Sequence, residues 1–439
     1  MINDRIIISS LECFLGVPKW WNRVWYLGLV KRKSTVSVAT IWQPSHRSLT
    51  NMGAFCFISS LYNVSCLVIL MSTDVWGTSE VFMKIKGMSL FSGGGIGEFR
   101  MNETNVDVVI ANELLSKRCE FYKFYHPKCD VVNADITKRE TKDLLIEKAK
   151  KAGVDFIMAT PPCQGASLIG KNKDLESMKN DFRNYLVFDA VEIIEAIKPT
   201  FVMIENVTRF YEMLYLYKNE PNVPLLDILK DKFGEEYNIE YNVFNCEEYD
   251  IPQARKRGIV RMWKKGNTWS LPKKGKTITV REAIGDLPSL EAGQSSNIKN
   301  HYARNHTPEH ILCMKHTPTG HSAFENPVYY PKDKNGKKVR GFSATFKRID
   351  WDAPAPTITM RNDCISSQSN VHPGRLLPDG TYSDARVLTP RELLILSSID
   401  PDIDLPKSVS ESQIRYMIGE GIPPLLVSKI VKGVAYGEN

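Results

Sequence analysis

One cysteine of this sequence follows two prolines at the end of an apolar run, in the segment FIMATPPCQGAS. The run from Val154 to Ala159 has the length and composition of a strand in a covered parallel sheet. Pro161 and Pro162 end this strand, because proline cannot donate a ladder hydrogen bond. Cys163 therefore stands just past the carboxyl edge, where open α/β sheets bind ligands. Its thiol is either a nucleophile or a buried structural group, since most free cysteines are small core residues.

A carboxyl and two guanidinium groups are expected near the same edge. Glu205 ends another apolar run, in the segment FVMIENV, and neighbouring parallel strands end at one edge of a sheet. Arg255 and Arg257 alternate in IPQARKR, so both face one side of an extended segment. Together with a thiol, these groups suit nucleophilic addition coupled to proton transfer. Taken singly, Glu205 has a simpler interpretation as a surface ion pair, and the arginines as a solvated face.

Glycines and two acids mark the ends of three further predicted strands. Gly93, Gly95 and Gly97 follow the first strand, where glycine allows a tight turn and close approach to a ligand. Glu113 ends the second strand, a place where an acid accepts hydrogen bonds from ribose hydroxyls. Asp135 ends the third, where an acid can accept from an adenine amino group. The pattern predicts an adenosine-containing cofactor, and its alternative is that both acids cap helix N-termini.

The elements that position these groups alternate regularly along the chain from Lys84. Five short apolar runs predict strands, and residues 138–152 and 185–197 have helical periodicity. Strands alternating with helices predict an α/β fold with a Rossmann-like, doubly wound and mostly parallel sheet. The alternation stops after Trp263, and an apolar helix from about Pro424 to Ala435 is predicted near the end of the chain.

Charge and cysteine content indicate the compartment and the kind of partner. Nine cysteines without a CxxC pair predict reduced thiols and a cytoplasmic protein. Residues 264–349 contain sixteen Lys and Arg against six Asp and Glu, an excess of +10 in a chain of net charge +7. This local excess is typical of a polyanion-binding surface, or else of a solvated lysine-rich loop region. Five of the eight histidines lie here near Cys313, but their spacing fits no zinc pattern, so no metal is predicted.

The first 82 residues differ from the rest of the chain. Residues 54–71 carry no charge, and this length is at the threshold for a transmembrane helix. Asn63 and several Ser and Cys residues weaken that interpretation, and the run starts too far in for a signal peptide. We therefore expect either an accessory extension or a start codon assigned too far upstream, with Met83 as an alternative start.

The motifs, taken in order, resemble those of the C5-cytosine DNA methyltransferases of bacterial restriction–modification systems. The matching segments are LFSGGGIGEF, ANE, NADI, PPCQGAS, RNYL, IENV, IPQARKR, RVLTPRE and GEGIPP, from Leu90 to about Val434. PPCQ followed by ENV and QxRxR is specific, because adenine-N6 and cytosine-N4 enzymes carry [DNS]PP[YFW] and need no thiol. The resemblance implies a class I S-adenosylmethionine-dependent methyltransferase fold with a smaller target-recognition domain. It predicts an extension over 1–82, a catalytic and cofactor domain over 83–263, a target-recognition domain over 264–410, and a returning C-terminal helix over 411–439.

The same resemblance implies a role for each site residue. Cys163 would form a covalent adduct with cytosine C6, and Glu205 would protonate or share a proton with N3. Arg255 would contact the cytosine carbonyl and favour the thiolate, while Arg257 would orient Glu205. The positions implied to bind S-adenosylmethionine are Phe91, which would stack on adenine, and Gly93, Gly95, Glu113, Asp135, Ile136, Pro162 and Leu186. The positions implied to contact DNA are Gln164 and Ser167.

The implied partners are double-stranded DNA and, functionally, a restriction endonuclease, with no stable protein partner and no membrane. The protein is accordingly expected in the cytoplasm, associated with the nucleoid. A transfer-RNA cytosine-C5 methyltransferase is the alternative, but that branch carries a Cys-Phe-Thr motif that is absent here. A catalytically silent DNA-binding protein is disfavoured by the intact catalytic set. Two departures from the family pattern are Ser89, in place of an acid, and GEGIPP, where Glu420 and Gly421 replace Asn and a small polar residue.

Overall fold

The computed structural model describes residues 24–32, 35–42, 56–61, 64–69, 84–162, 182–333 and 335–437. The chain divides into two compact units, Met1–Met83 and Lys84–Asn439. The first unit contains two antiparallel hairpins, formed by β1 (Val24–Arg32) with β2 (Thr35–Trp42) and by β3 (Cys56–Leu61) with β4 (Val64–Ile69).

The uncharged stretch 54–71 therefore contains a β-hairpin, and its interpretation as a membrane helix is wrong. Val64–Ile69 is rich in β-branched residues, which favour a strand over a helix. In the described parts of the chain, no helix has both the length and the apolar character needed to cross a bilayer.

The second unit is built on a seven-stranded sheet with flanking helices. The strands of this unit are β5 (Ile85–Leu90), β6 (Val106–Glu113), β7 (Asp130–Asn133), β8 (Phe156–Ala159), β9 (Phe201–Asn206), β10 (Leu214–Tyr217), β11 (Glu220–Pro224), β12 (Tyr237–Asn245), β13 (Gln253–Ala254), β14 (Lys256–Lys264), β15 (Thr268–Trp269), β16 (Ala355–Pro356) and β17 (Val434–Ala435). The α-helices are α1 (Ser116–Tyr125), α2 (Arg139–Ala152), α3 (Leu186–Ile197), α4 (Leu225–Phe233), α5 (Val280–Ile284), α6 (Pro308–Lys315), α7 (Pro390–Leu396), α8 (Glu411–Glu420) and α9 (Pro424–Val431).

The strand order of the large sheet is β12-β14-β9-β8-β5-β6-β7. Strands β5 to β9 run parallel, whereas β14 is antiparallel to both of its neighbours, β9 and β12. The predicted doubly wound, mostly parallel sheet is therefore confirmed. The order reverses between β5 and β8, and this switch point opens the crevice in which such sheets bind ligands.

Helices cover both faces of the sheet, which explains why its central strands have no polar alternation. Every residue of β8 and β9 is buried. On one face, Ile157 and Ile204 pack in a core with α3 residues such as Ile194. On the other face, Phe156 and Met203 pack in a core with residues of α9. The predicted helix near the end of the chain is confirmed, although it ends at Val431 rather than at Ala435.

Residues 270–410, which we call the loop-rich region, contain short helices and long irregular segments. A buried ionic cluster stabilises its centre, where Arg386 lies 2.9 Å from Asp384 and 2.8 Å from Glu392. Burial alone would raise the pKa of Glu392, but the charge and hydrogen bonds of Arg386 outweigh it and lower the pKa to about 2. The RVLTPRE motif thus supplies an ion pair and the Thr389–Glu392 capping box that begins α7.

Candidate active site

A cleft of about 1210 Å³ lies at the carboxyl ends of the parallel strands. Residues predicted at the site that line this cleft are Phe91, Gly93, Glu113, Asp135, Ile136, Pro162, Leu186, Glu205, Arg255 and Arg257. Gly95 instead packs against Tyr122, 2.6 Å from the point where a Cβ would stand, and adopts φ 74°. Its absence of a side chain is therefore needed for the turn and for packing. Cys163, Gln164 and Ser167 lie outside the described residues.

Glu113 holds the glycine-rich turn against the end of β6. Its Oε2 accepts a hydrogen bond of 3.0 Å from the Gly93 N–H, and its Oε1 accepts one of 2.8 Å from the Leu115 N–H. Gly93 has φ 57°, a conformation that glycine adopts without steric cost. The alternative that both acids cap helix N-termini is wrong, because the N-cap residues of α1 and α2 are Leu115 and Lys138.

Asp135 is similarly tied to the turn that follows β7. Its Oδ1 accepts hydrogen bonds from the Thr137 N–H at 3.0 Å and from the Thr137 hydroxyl at 2.8 Å. The Thr137 main-chain bond is the largest influence on this carboxyl and lowers its pKa. Asp135 thus presents an ionised acceptor beside the buried Ile136 side chain.

Phe91 follows β5. In the sheet, β5 lies between β6 and β7, which lead to Glu113 and Asp135, and β8 and β9, which lead to Pro162 and Glu205. Phe91 adopts φ 56°, which is uncommon for a residue with a large side chain. The Thr160 hydroxyl donates a 3.0 Å hydrogen bond to the Phe91 carbonyl and connects the ends of β5 and β8. The aromatic ring is half-buried on the cleft wall, where a flat ligand ring could stack on it.

The buried Glu205 and the partly buried Arg257 form an ion pair at the end of β9. Glu205 lies opposite Ile259 in the antiparallel register with β14, so Arg257, two residues along, projects from the same face. Arg257 Nε is 2.8 Å from Glu205 Oε1. Burial raises the pKa of Glu205, although the Arg257 and Arg255 charges oppose this rise. The carboxyl can therefore hold a proton at a higher pH than an exposed glutamate.

Arg255 lines the cleft and also has main-chain partners outside the sheet. Its guanidinium donates to the main-chain carbonyls of Ile358 at 2.9 Å, Gly419 at 3.1 Å and Glu420 at 2.9 Å. Gly419 approaches the Thr359 carbonyl so closely that a Cβ would stand 2.1 Å from that oxygen. Arg255 thus connects the sheet to the loop-rich region and to α8.

Two acids of the cleft wall have partners that the motifs did not predict. Glu98 is buried and accepts a hydrogen bond from the Ser89 hydroxyl, so its carboxyl lies beside the residue that replaces the expected acid. Burial raises its pKa to about 7. Glu420 Oε1 accepts a 2.7 Å hydrogen bond from Arg118, whose other nitrogen lies 3.6 Å from Glu113. The unusual GEGIPP stretch pointed to Glu420, whereas Arg118 had no signal in the sequence.

The histidines of the loop-rich region have structural partners. His301 lies 3.1 Å from the Thr389 hydroxyl and 2.9 Å from the Pro288 carbonyl, and the ring of His316 stacks on Tyr329. Within the described ranges, no three His, Cys, Asp or Glu side chains come together in a way that could hold a metal ion.

Comparison with known proteins finds similarity to DNA methyltransferases, both by family profile and by individual relatives. The profile of the C-5 cytosine-specific DNA methylases matches residues 85–435. The type II methyltransferase M1.HgaI of Avibacterium volantium is 47% identical over 355 residues, which cover 81% of this chain and 99% of the relative. The type II methyltransferase M1.HphI of Haemophilus parahaemolyticus is 26% identical, with 87% of this chain and 95% of the relative covered.

Solved structures share the fold at lower identity. A protein encoded within an E. coli prophage has a TM-score of 0.54 at 20% identity, with 80% of this chain and 98% of the other covered. A DNMT2 variant of Spodoptera frugiperda has a TM-score of 0.52 at 17% identity, with 79% and 98% covered. At these identities the likeness concerns the fold of the chain alone.

Proposed function

The chain belongs to the C-5 cytosine-specific DNA methylase family, and we propose that Cys163, Glu205 and Arg257 carry out its methyl transfer to cytosine C5. The observation that carries this assignment is the ion pair between the buried Glu205 and Arg257 at the end of β9. The neighbouring strand, β8, runs directly into the PPCQ segment. A thiol and a carboxyl with a raised pKa at neighbouring strand ends suit addition to one ring.

The proposed chemistry starts at C6 because cytosine C5 is a poor nucleophile. The Cys163 thiolate forms a bond to C6, and Glu205 supplies or shares a proton at N3, so the ring becomes an enamine that is nucleophilic at C5. S-adenosylmethionine, when bound, supplies the methyl group that C5 attacks. Methyl transfer breaks the S–CH3 bond and leaves S-adenosylhomocysteine. A water molecule, proposed as the base, then removes the C5 proton, the proton at N3 returns to Glu205, and elimination expels the Cys163 thiolate.

The described residues of the cleft suit the adenosine part of S-adenosylmethionine. Phe91 offers a ring face, Glu113 and Asp135 offer carboxylate acceptors at successive strand ends, and Gly93 leaves room for close approach. Ile136, Leu186 and Pro162 complete an apolar wall for the adenosine. We assign these residues to S-adenosylmethionine binding and give Gly95 the supporting role of shaping the turn.

Arg255 and Arg257 have different roles in this proposal. Arg257 contacts Glu205, so it orients the carboxyl. Arg255 is a positioning residue, because its three main-chain bonds hold the loop-rich region against the sheet. Its charge still acts on the site, since it lowers the pKa of Glu205.

The substrate we propose is a cytosine flipped out of duplex DNA, since no enzyme group can reach C6 within the stack. The basic excess in residues 264–349 supports phosphate contacts by the target-recognition domain, proposed as 264–410. Gln164 and Ser167, beside the nucleophile, would contact the DNA. The similarity to type II methyltransferases supports a cytoplasmic role beside the nucleoid, protecting host DNA from a restriction endonuclease.

Bisulfite sequencing of DNA from a methylation-free host that expresses this chain tests the proposal. We expect protected cytosines at one fixed position of a short motif, and complete conversion when Cys163→Ala is expressed at the same level. Complete conversion with soluble wild-type protein would contradict the DNA assignment. Labelling of transfer RNA in the same extract would then support the alternative substrate, and tight DNA binding without any transfer would support a silent binding protein.

A further inference from the structure

Phe342 is an exposed aromatic residue in a basic segment of the loop-rich region. It is 75% exposed, and residues 332–347 contain six Lys and Arg against one Asp. This excess of positive charge attracts a polyanion rather than an apolar protein surface. A single exposed ring is common on protein surfaces, so its meaning depends on how it is held and on where it lies.

The turn that carries Phe342 is anchored on both sides. The Phe342 carbonyl accepts hydrogen bonds from the Thr345 N–H and from the Thr345 hydroxyl, each at 2.9 Å. Gly341 packs so closely on the Phe324 ring that a Cβ would stand 2.1 Å from it. The buried Phe346 contacts the same ring from the other side of the turn in the sequence. The backbone at Phe342 is thus held in place, which lowers the entropy lost when the side chain binds a partner.

The same turn adjoins the cleft of the candidate active site. The Ala344 carbonyl accepts a 2.8 Å hydrogen bond from the Ser369 N–H. Ser369 and its neighbour Gln368 line the cleft that also contains Glu205. Phe342 precedes Ala344 by two residues and therefore lies close to the rim of this cleft.

A cytosine that leaves the duplex leaves a gap in the base stack. The gap is about 3.4 Å deep, which is the thickness of an aromatic ring. A ring that enters it stacks on the neighbouring bases and offsets part of the free energy lost in unpairing and unstacking. Phenylalanine is one of the apolar side chains that proteins insert between base steps. The exposed Lys337 and Arg340 of the same segment suit the phosphates beside the gap.

We propose that Phe342 enters the DNA stack at the place that the flipped cytosine vacates. This role rests on the proposed function, because it requires a cytosine outside the duplex. Phe342 is then a positioning residue, which holds the target base out of the helix by stacking on its former neighbours. A ring face stacks on every base, so Phe342 assists flipping without selecting the motif.

The test compares single-turnover methyl transfer by full-length proteins on two duplexes. One duplex carries the motif found by bisulfite sequencing, and in the other the target cytosine faces adenine, so that opening costs less. Phe342→Ala should slow transfer to the matched duplex by about tenfold to a hundredfold, the effect of losing one stacked aromatic ring. On the mispaired duplex the deficit should fall below about threefold, because opening no longer limits the rate.

Two further variants separate stacking from other effects. Phe342→Trp should stay within about threefold of the wild type on both duplexes, since an indole ring also stacks on bases. Phe124→Ala is the matched control, because it removes another exposed phenylalanine, on α1, and should leave both rates unchanged. Phe342→Ala should bind a duplex without the motif as tightly as the wild type does, which shows that the variant is folded.

Four results would overturn the role of Phe342. They are an equal deficit of Phe342→Ala on both duplexes, a wild-type rate on the matched duplex, methylation of a different motif, and weaker binding of the duplex without the motif. The first would indicate that Phe342 only shapes the cleft, and the last that it contributes to general DNA affinity. If the bisulfite experiment found no motif at all, the proposed function itself would be contradicted, and this role with it.

Discussion

Arg257 and Glu205 meet on one face of two antiparallel strands, with 2.8 Å between Nε and Oε1. This relationship follows from register: Glu205 opposes Ile259, and Arg257 lies two residues further along β14. The contact holds the carboxyl at the end of β9 and limits how far burial raises its pKa.

Replacing Glu205 by glutamine should slow methyl transfer without weakening DNA binding. Glutamine keeps the shape of the side chain but cannot supply a proton to N3, and general acid–base catalysis contributes roughly 10²- to 10⁴-fold. Single-turnover transfer of a labelled methyl group gives the rate, and fluorescence anisotropy gives the DNA affinity. A variant that retains the wild-type rate would rule out proton transfer by Glu205.

Replacing Arg257 by glutamine should shift the pH dependence of the reaction. Arg257 lowers the pKa of Glu205, so its loss lets the carboxyl keep its proton to higher pH. The alkaline limb that reports protonated Glu205 should move to higher pH, while the overall rate falls. A pH–rate profile of the wild type and the variant checks the direction; an unmoved or acid-shifted limb would contradict the role.

Replacing Arg255 by glutamine should mainly reduce stability. Arg255 is 2% exposed and satisfies three main-chain carbonyls of the loop-rich region and α8. Leaving buried acceptors without a donor costs on the order of 3 kcal/mol of unfolding free energy. Urea unfolding of the Arg255 and Arg257 variants side by side checks this prediction. A larger loss of stability in the Arg257 variant would contradict the proposal that Arg255 has the structural role and Arg257 the role at Glu205.

Glu98 should make the fold less stable as the pH rises. Its pKa is about 7 in the folded protein against 4.5 in the unfolded chain, so the folded state binds more protons in this window. The stabilisation is fully present below pH 4.5 and lost as the pH passes 7, a change on the order of 3 kcal/mol. Glu98→Gln should flatten this part of the profile and be the more stable protein at pH 8.

The measurement is the urea midpoint of both proteins between pH 4 and pH 8. Ser89→Ala provides a matched comparison, because the Ser89 hydrogen bond lowers the pKa of Glu98. Without that bond, the decline should extend to higher pH. Parallel profiles for the wild type and Glu98→Gln would mean that this carboxyl does not titrate in the window.

A chain that begins at Met83 should fold and methylate DNA. Residues 84–439 form one compact unit that contains the whole large sheet and its cores. A chain that begins at Met88 is the control, because it lacks half of β5, including the buried Ile85. We expect methylation by the first protein and insolubility of the second. An inactive or insoluble Met83 chain would show that the extension is required.

The sheet could be predicted because its strands are buried on both faces. Runs such as FIMA and FVMI contain no polar residue, and proline lies close to each of them in the sequence. Because parallel strands end at one edge of a sheet, Glu113 and Glu205 could also be predicted to line the cleft. Residues 54–71 left a membrane helix as an alternative, because a short apolar hairpin and an apolar helix have similar composition.

Contacts between distant segments could not be predicted. Arg255 and Arg257 alternate in one short segment, yet one binds the loop-rich region and α8 while the other binds Glu205. Arg118 and Glu420 are 302 residues apart, so no local pattern links them. The sequence shows at Ser89 only that an expected acid is absent. The hydrogen bond from Ser89 to the buried Glu98 depends on how the following turn folds back.

Covalent trapping tests the central claim most directly. Duplex DNA carries the motif found by bisulfite sequencing, with 5-fluorocytosine at the target position, where no C5 proton can be removed after methylation. We expect a stable protein–DNA adduct whose digest contains Cys163, in the wild type and in Cys246→Ala. Burial raises the pKa of the Cys246 thiol to about 11, so it should not react. An adduct that persists in Cys163→Ala, or methylation without any adduct, would contradict the account.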